Sequence, residues 1–272
     1  MRSDASRWAL RQQPLGTQLA DPDLYDFPYY RALWTMGLDV DVVPPDADLT
    51  GYRVVVAATQ ALMDQDLADR LARYAAGGGL LVLSVRTGLK DDAGHVWPDG
   101  APGPLADLCG VRVAEFDAPP ADDGQAIGFE DGAWFEAGPW RERLERLEPV
   151  EGTWIVAKYL QGYLADEPAI VSRLHGEGRV WYCGTLGRGP ELAEHLLRSV
   201  VAHASLVPAV IPGNVEIRTR PGPRGPLRFV LNHSAEFKAI GLEEDAVELL
   251  TGAACSGILE LPPYGAAVLA TA

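Results

Sequence analysis

"RVVVAATQALMDQDLADRLARYAAGGGLLVLSVRTG", residues 53–88, is the stretch on which the fold turns. Its opening, "RVVVAAT", is a continuous apolar run of the kind a strand shows when both faces are covered. Leu67, Leu71 and Tyr74 then recur at helical spacing behind Asp64, which is placed to cap the helix, and Gly77, Gly78 and Gly79 stop it. "LLVLS" follows as a second buried strand. Strand, helix and strand at these lengths form a βαβ unit, whose parallel strands and right-handed crossover belong in a doubly wound sheet.

The same stretch raises the question of chemistry. A phosphate cradle needs its glycines after the strand, where backbone N–H groups at the next helix start can face an anion. Here the glycines precede the strand, so they read as a helix stop. Ser84 lies at the carboxyl end of its strand, where open α/β sheets bind ligands. A nucleophile elbow would place glycines two positions to either side, and those positions hold Val82 and Arg86. His95, within "DDAGHVWPDG", is the nearest base in sequence, but its segment has turn chemistry. Ser84 thus reads as a strand-end hydrogen-bonding residue, while Ser84, Arg86 and His95, with Thr87 beside them, remain the candidates for any strand-end crevice.

Upstream, "LYDFPYYRALWTMG" (24–37) predicts a helix that buries Phe27, Tyr30, Leu33 and Trp34 and ends at Gly37, and "DVDVVPP" (39–45) alternates as a short strand. Downstream, "GVRVAEFD" and "AIGFE" predict strands around a surface loop at 117–124. "AIVSRLHGEGRVWYCGT" predicts a hairpin turning at Gly176–Gly178, and "ELAEHLLRSVVAHA" an amphipathic closing helix. After "LVPAVIPG" the texture changes to short alternating segments broken by Gly, Pro and Asn. The expectation is a doubly wound, mostly parallel α/β domain over 1–208 and a small all-β sandwich over 209–272.

Composition narrows the function classes. With 272 residues, 47% hydrophobic and 22% charged, the chain can bury a substantial core, and no apolar run reaches the length of a bilayer span. The net charge of -15 argues against nucleic acid and anionic membrane as partners, which need clustered Lys and Arg. The acidic excess sits in the first 208 residues, with 31 Asp+Glu against 18 Lys+Arg. The amino-terminal segment lacks the apolar core of a secretory signal, so a cytoplasmic location is expected. Cys109, Cys183 and Cys255 are too far apart for a metal knuckle or a disulfide framework. His195 and His203 stand eight apart, not at metal-pair spacing, so neither a metal nor a cofactor is expected.

Several segments together carry a resemblance: "YYRALWTMGLDVDVVPPDADLTGYRVVVAATQALM", "RYAAGGGLLVLSVRTGLKDDAGHVW", "PGPLADLCGVRVAEFDA", "ADEPAIVSRLHGEGRVWYCGTL", and then "FVLNHS", "LLTG" and "LPPYGAAVL". In this order they resemble the region that follows the catalytic barrel in family 42 glycoside hydrolases, the bacterial β-galactosidases. The resemblance implies that the α/β part is a trimerisation domain similar in fold to class I glutamine amidotransferases and flavodoxin, without the catalytic cysteine. It implies that the β part is the family's carboxyl-terminal sandwich. The family's two catalytic glutamates lie in a barrel that this chain does not contain, and none of its glutamates matches them.

The function expected on this resemblance is that of a noncatalytic assembly portion of a β-galactosidase-like protein, homo-oligomeric, a trimer in the family, or a partner for a separate barrel-containing chain. "DASRWAL" resembles the segment after the domain's first strand, yet only "MRS" stands before it; either the sheet lacks an edge strand or another chain supplies it. Two other functions stay open: a small-molecule hydrolase or amidotransferase-like enzyme using Ser84, Arg86 and His95, and a sugar-binding module using Trp97, Trp134 or Trp140.

Overall fold

The computed structural model describes residues 1–15, 19, 21–119, 124–209, 211–242 and 244–271. By packing they fall into two units, Met1–Tyr29 with Val42–Ser205, and Tyr30–Asp41 with Leu206–Ala272. In the first unit α1 (Asp4–Gln12) and the start of α2 (Asp23–Thr35) precede β1 (Val54–Ala57), α3 (Gln65–Ala76) and β2 (Leu80–Ser84). A short α4 (Ala106–Cys109) leads into β3 (Val111–Asp117), β4 (Ala126–Phe129), β5 (Trp134–Arg146) and β6 (Thr153–Tyr159). Then come β7 (Pro168–His175), β8 (Gly178–Cys183), β9 (Thr185–Gly187) and α5 (Glu191–His203).

The βαβ unit forms as its sequence dictates. Asp64 accepts a hydrogen bond from the Leu67 N–H at 2.7 Å and opens α3, whose Leu67, Ala68, Leu71 and Ala75 are buried. Gly77 caps it and Gly78 takes φ +99°, while a side chain on Gly79 would run into the Tyr74 ring. All five residues of β2 are buried, in the position of a central strand. The main core gathers Val55, Leu71, Leu81, Leu83, Val111, Leu144, Val171 and Tyr182.

The expectation of a mostly parallel, doubly wound sheet needs correcting. Among the described residues nine strands form one mixed sheet in the order β1-β2-β8-β7-β6-β4-β5-β3, with β9 on β5. Only β1–β2 and β2–β8 run parallel. The ladders from β7–β8 through β3–β5 are antiparallel. The physical reason is connection length. A crossover helix is needed to return a chain parallel to its neighbour, and α3 supplies one between β1 and β2. Beyond α4 the sequential pairs β4–β5, β6–β7 and β7–β8 are joined without a crossover helix, the last by a turn at Gly176–Gly178, and such connections give antiparallel neighbours.

Two local expectations also change. Over α2 and Met36 just past it, the buried residues are Tyr25, Tyr29, Ala32 and Met36, while Phe27 and Tyr30 are exposed and Leu33 and Trp34 are half-buried. The helix is aromatic all round, so periodicity alone does not choose the face; the tyrosine hydroxyls that find buried partners do. "DVDVVPP" forms no strand: the Arg2 N–H donates to its Val43 carbonyl at 2.9 Å and the Ala47 N–H to its Pro44 carbonyl at 3.2 Å, with no ladder partner. Part of the predicted 117–124 loop lies outside the described residues.

Among the described residues the ladders of the second unit are all antiparallel. Its strands are β10 (Val215–Gly222), β11 (Gly225–Asn232), β12 (Lys238–Gly241), β13 (Ala246–Glu248), β14 (Ala253–Cys255), β15 (Ile258–Leu261) and β16 (Ala266–Thr271). A five-stranded sheet, β10-β11-β16-β13-β14, and the pair β12-β15 share a core of Val215, Val230, Ile240, Leu259, Leu261 and Leu269. Residues 30–41 belong to this unit. The Arg218 guanidinium lies 5.7 Å over the Trp34 ring, Arg220 pairs with Asp39 at 3.1 Å, and the Ala209 N–H donates to the Met36 carbonyl at 2.9 Å.

The turn after β13 is held by one carboxylate. Glu248 accepts from the Thr251 hydroxyl and from the backbone N–H groups of Leu250, Thr251 and Val268. The Thr251 hydroxyl first, and then the N–H donors, hold its carboxyl down at about 2. A depressed carboxyl contributes stability that is present above its unfolded pKa, near 4.3, and lost as pH falls through the folded value. Glu248→Gln is therefore expected to unfold at a lower temperature than the parent at neutral pH. The gap should close between about pH 4.3 and 2, as followed by thermal melts across that range.

Candidate functional site at the strand ends

The carboxyl ends of β2 and β8 meet β5 in a closed polar network. Along "WRERL" the alternation of a strand turns Trp140, Glu142 and Leu144 to one side, and all three are buried. Glu142 Oε1 accepts from the Arg86 backbone N–H at 2.8 Å and from Trp140 Nε1 at 3.0 Å, and Oε2 accepts from the Tyr182 hydroxyl at 2.8 Å. Burial pushes the Glu142 carboxyl upward, while the Arg86, Trp140 and Tyr182 donors and the Arg86 charge pull the other way. Three donors aimed at one carboxylate fit its ionised form.

Arg86 sits just past β2 with φ +63°, a left-handed conformation uncommon for a side chain of its size. Its guanidinium reaches the Gln13 carbonyl at 2.7 Å and the Tyr25 hydroxyl at 3.1 Å, and lies 5.0 Å over the Trp140 ring. Ser84 is fully buried, with the Tyr29 hydroxyl donating to its Oγ at 3.3 Å, and the Thr87 hydroxyl donates to the Ser84 carbonyl at 2.6 Å. Cys183, opposite Ser84 in the β2–β8 ladder, has its thiol pushed by burial up to about 11, so it is a thiol and not a nucleophilic thiolate. The Tyr159 hydroxyl donates to the Gly184 carbonyl at 3.0 Å and ties β6 to the same junction.

The structure therefore brings Ser84, Arg86 and Thr87 together and leaves His95 apart. The His95 side chain is 80% exposed and pairs with Asp91 within its own turn. Among the described residues no base faces the Ser84 hydroxyl, and the network is shut from solvent: Ser84, Arg86, Thr87 and Glu142 are all buried. Of the three tryptophans weighed for sugar stacking, Trp140 is buried and stacked on Phe116, Trp97 is half-buried and Trp134 is exposed. Among the described residues no group of three or more His, Cys, Asp or Glu is arranged to hold a metal.

Glu142, Tyr25, Tyr159 and Tyr182 carry no signal that the sequence analysis used, whereas Tyr29 is expected in the core and is buried there. For Glu142 a signal existed, an acid between Trp140 and Leu144 at strand spacing. A charge alternating with large apolar residues on one face marks a buried, hydrogen-bonded carboxylate.

The first unit is thus a mixed sheet whose strand ends at β2 and β8 are filled by its own side chains, and the second is an antiparallel β unit. Likeness to known proteins identifies the family. Residues 3–207 match the family model of the β-galactosidase trimerisation domain, and residues 214–270 that of the β-galactosidase C-terminal domain; the chain belongs to this family. Among curated proteins it is 35% identical over 239 residues to β-galactosidase Bga of Halorubrum lacusprofundi, covering 85% of this chain and 33% of that one. It is 31% identical over 247 residues to BglY of Alicyclobacillus acidocaldarius, covering 89% and 36%. Among solved structures, the β-galactosidase of the Antarctic haloarchaeon H. lacusprofundi superposes with a TM-score of 0.85 at 32% identity, covering 98% of this chain and 38% of that one. The enzyme from Bacillus circulans sp. alkalophilus, at 23% identity and a TM-score of 0.84, covers 90% and 37% and shares the fold. The chain thus spans about a third of the length of the curated relatives it matches, and the catalytic barrel of family 42 is absent from it.

The network's worth is measurable by substitution at its centre. Glu142→Ala strands three buried donors and opens a cavity, and is expected to cost about 3–5 kcal/mol in chemical denaturation. Glu142→Gln keeps an acceptor for the Arg86 and Trp140 N–H groups and misdirects only the Tyr182 hydroxyl, so about 1 kcal/mol is expected. Equal losses would show that the charge itself holds Arg86 in place.

Proposed function

We propose that the chain works as the noncatalytic assembly portion of a β-galactosidase-like glycoside hydrolase, with no glycosidase activity of its own. The observation that carries this reading is the tandem of trimerisation and C-terminal domains on a chain that spans a third of its relatives' length. The plugged strand ends support it, because a hydrolase reading of Ser84 needs an open pocket and a base, and Ser84 is buried against Tyr29.

In this reading the chain is organised as a trimerisation domain over 1–208, related in fold to amidotransferases and flavodoxin, and a C-terminal sandwich over 209–272. It assembles as a homo-oligomer, a trimer, and acts together with polypeptide that bears a catalytic barrel, in the cytoplasm. No helix among the described residues is long and apolar enough to cross a membrane.

Purified chain is expected to leave a chromogenic β-galactoside uncleaved and to elute as a trimer in light scattering coupled to size exclusion. Hydrolysis that co-elutes with the protein would overturn the noncatalytic reading, and a strict monomer at high concentration would overturn the assembly. A fluorophosphonate probe is expected to leave Ser84 unlabelled; labelling abolished by Ser84→Ala would restore the hydrolase reading.

A further inference from the structure

The chains of β1 and β2 stay side by side past the end of their ladder. The last paired residues are Ala57 and Leu83, and farther on Leu62 bridges Lys90 in the same parallel sense. Between these fixed points the β1 side advances five residues, from 57 to 62, and the β2 side seven, from 83 to 90. The longer side has to bulge, and it does so where Arg86 and Gly88 take φ +63° and +61°. The Gly88 N–H donates to the Gln60 carbonyl at 2.8 Å, and the Lys90 N–H to the Ala61 carbonyl at 3.1 Å, so the two sides close again beyond it.

The bulged section carries polar side chains that are sealed from solvent. Thr59 and Gln60 are each 1% exposed and Arg86 is 3% exposed. The terminal nitrogens of Arg86 reach Tyr25 and Gln13, but its Nε has no hydrogen-bond partner within the protein. Neither has Thr59 Oγ1, nor Nε2 or Oε1 of Gln60. A buried carboxamide with both ends unpaired bears the full cost of its desolvation, and native interiors leave few such groups. We propose that the bulge between the ends of β1 and β2 encloses a bound-water site, with the Gln60 carboxamide as its principal ligand and the Thr59 hydroxyl and Arg86 Nε completing it.

The donor set selects the occupant. Gln60 Nε2 and Arg86 Nε donate, Gln60 Oε1 accepts, and the Thr59 hydroxyl does either. Water gives two hydrogen bonds and takes two, and a buried water commonly holds about three protein groups, which such a set supplies. An anion would meet the Gln60 oxygen as acceptor against acceptor, and a cation would meet two N–H donors. The burial of all three residues favours the smallest polar guest. The site stands where an open parallel sheet would receive a ligand, so water there keeps these strand ends closed while serving polar atoms that the Glu142 carboxylate does not reach. For Arg86 it completes the solvation of a buried cation: Tyr25 and Gln13 on the terminal nitrogens, water on Nε.

The test is a crystal structure of the full chain at a resolution that places ordered water, with thermal melts of the parent and of Gln60→Met. Density for water is expected within about 2.7–3.2 Å of the Gln60 carboxamide and of Thr59 Oγ1 or Arg86 Nε. A dry carboxamide, or one bonded only to protein groups, would overturn the proposal. Methionine keeps the length of the side chain and removes both polar atoms. If water holds Gln60, the exchange strands that water and is expected to lower the thermal midpoint by about 2–4 °C. A midpoint raised by Gln60→Met would mark the carboxamide as unpaired and also overturn the site. The crystallographic result on the parent chain decides the matter should the variant fail to fold.

Discussion

The buried carboxylate of Glu142 is the constraint on which the first unit depends. In the sheet order β5 lies five strands away from β2 and four from β8, yet Glu142 on β5 bonds Arg86 past the end of β2 and Tyr182 on β8. This is possible because β8 continues through Gly184 into β9, which pairs with β5, and the Glu142 N–H bonds the Gly184 carbonyl at 2.7 Å. The sheet turns back on itself, and the carboxylate fastens the fold where it meets its own beginning. A carboxyl in that position is tolerated because Arg86, Trp140 and Tyr182 each aim a donor at it.

That fastening also determines what the strand ends are free to do. In open α/β sheets the carboxyl ends of parallel strands usually form a crevice. Here the crevice holds Arg86, Trp140, Tyr25 and Tyr29, each engaged with a neighbour. The left-handed backbone at Arg86, a conformation that in enzymes often stores strain for catalysis, instead points a cation at carbonyls and an aromatic face. The conformation here serves a structural use, holding Arg86 between β2, α2 and Trp140.

The parts of this fold legible in the sequence are those set by local pattern. Asp64, the leucines of α3 and the three glycines specified a helix with both its ends, and "LLVLS" a buried strand, because each signal is complete within a few residues. The Gly176–Gly178 hairpin was legible for the same reason. Strand direction in the rest of the sheet beyond α4 was not, since it depends on which distant strands pair. The face of α2 was missed because the hydroxyls of Tyr25 and Tyr29 chose it, through partners 61 and 55 residues away. Ser84 and Arg86 stood out in the sequence, but the acid that organises Arg86 lies 56 residues downstream and was visible only as an oddity of alternation.

The second unit takes in Tyr30–Asp41, more than 160 residues upstream of its strands. Trp34 beneath Arg218 and Asp39 against Arg220 are as much its parts as any strand. The unit is therefore discontinuous in the gene, so recombination at a single breakpoint between residues 208 and 209 would transfer its sheets without the segment that packs on them. Exchange among relatives should favour joint inheritance of both pieces, and residues 30–41 should vary in step with β10.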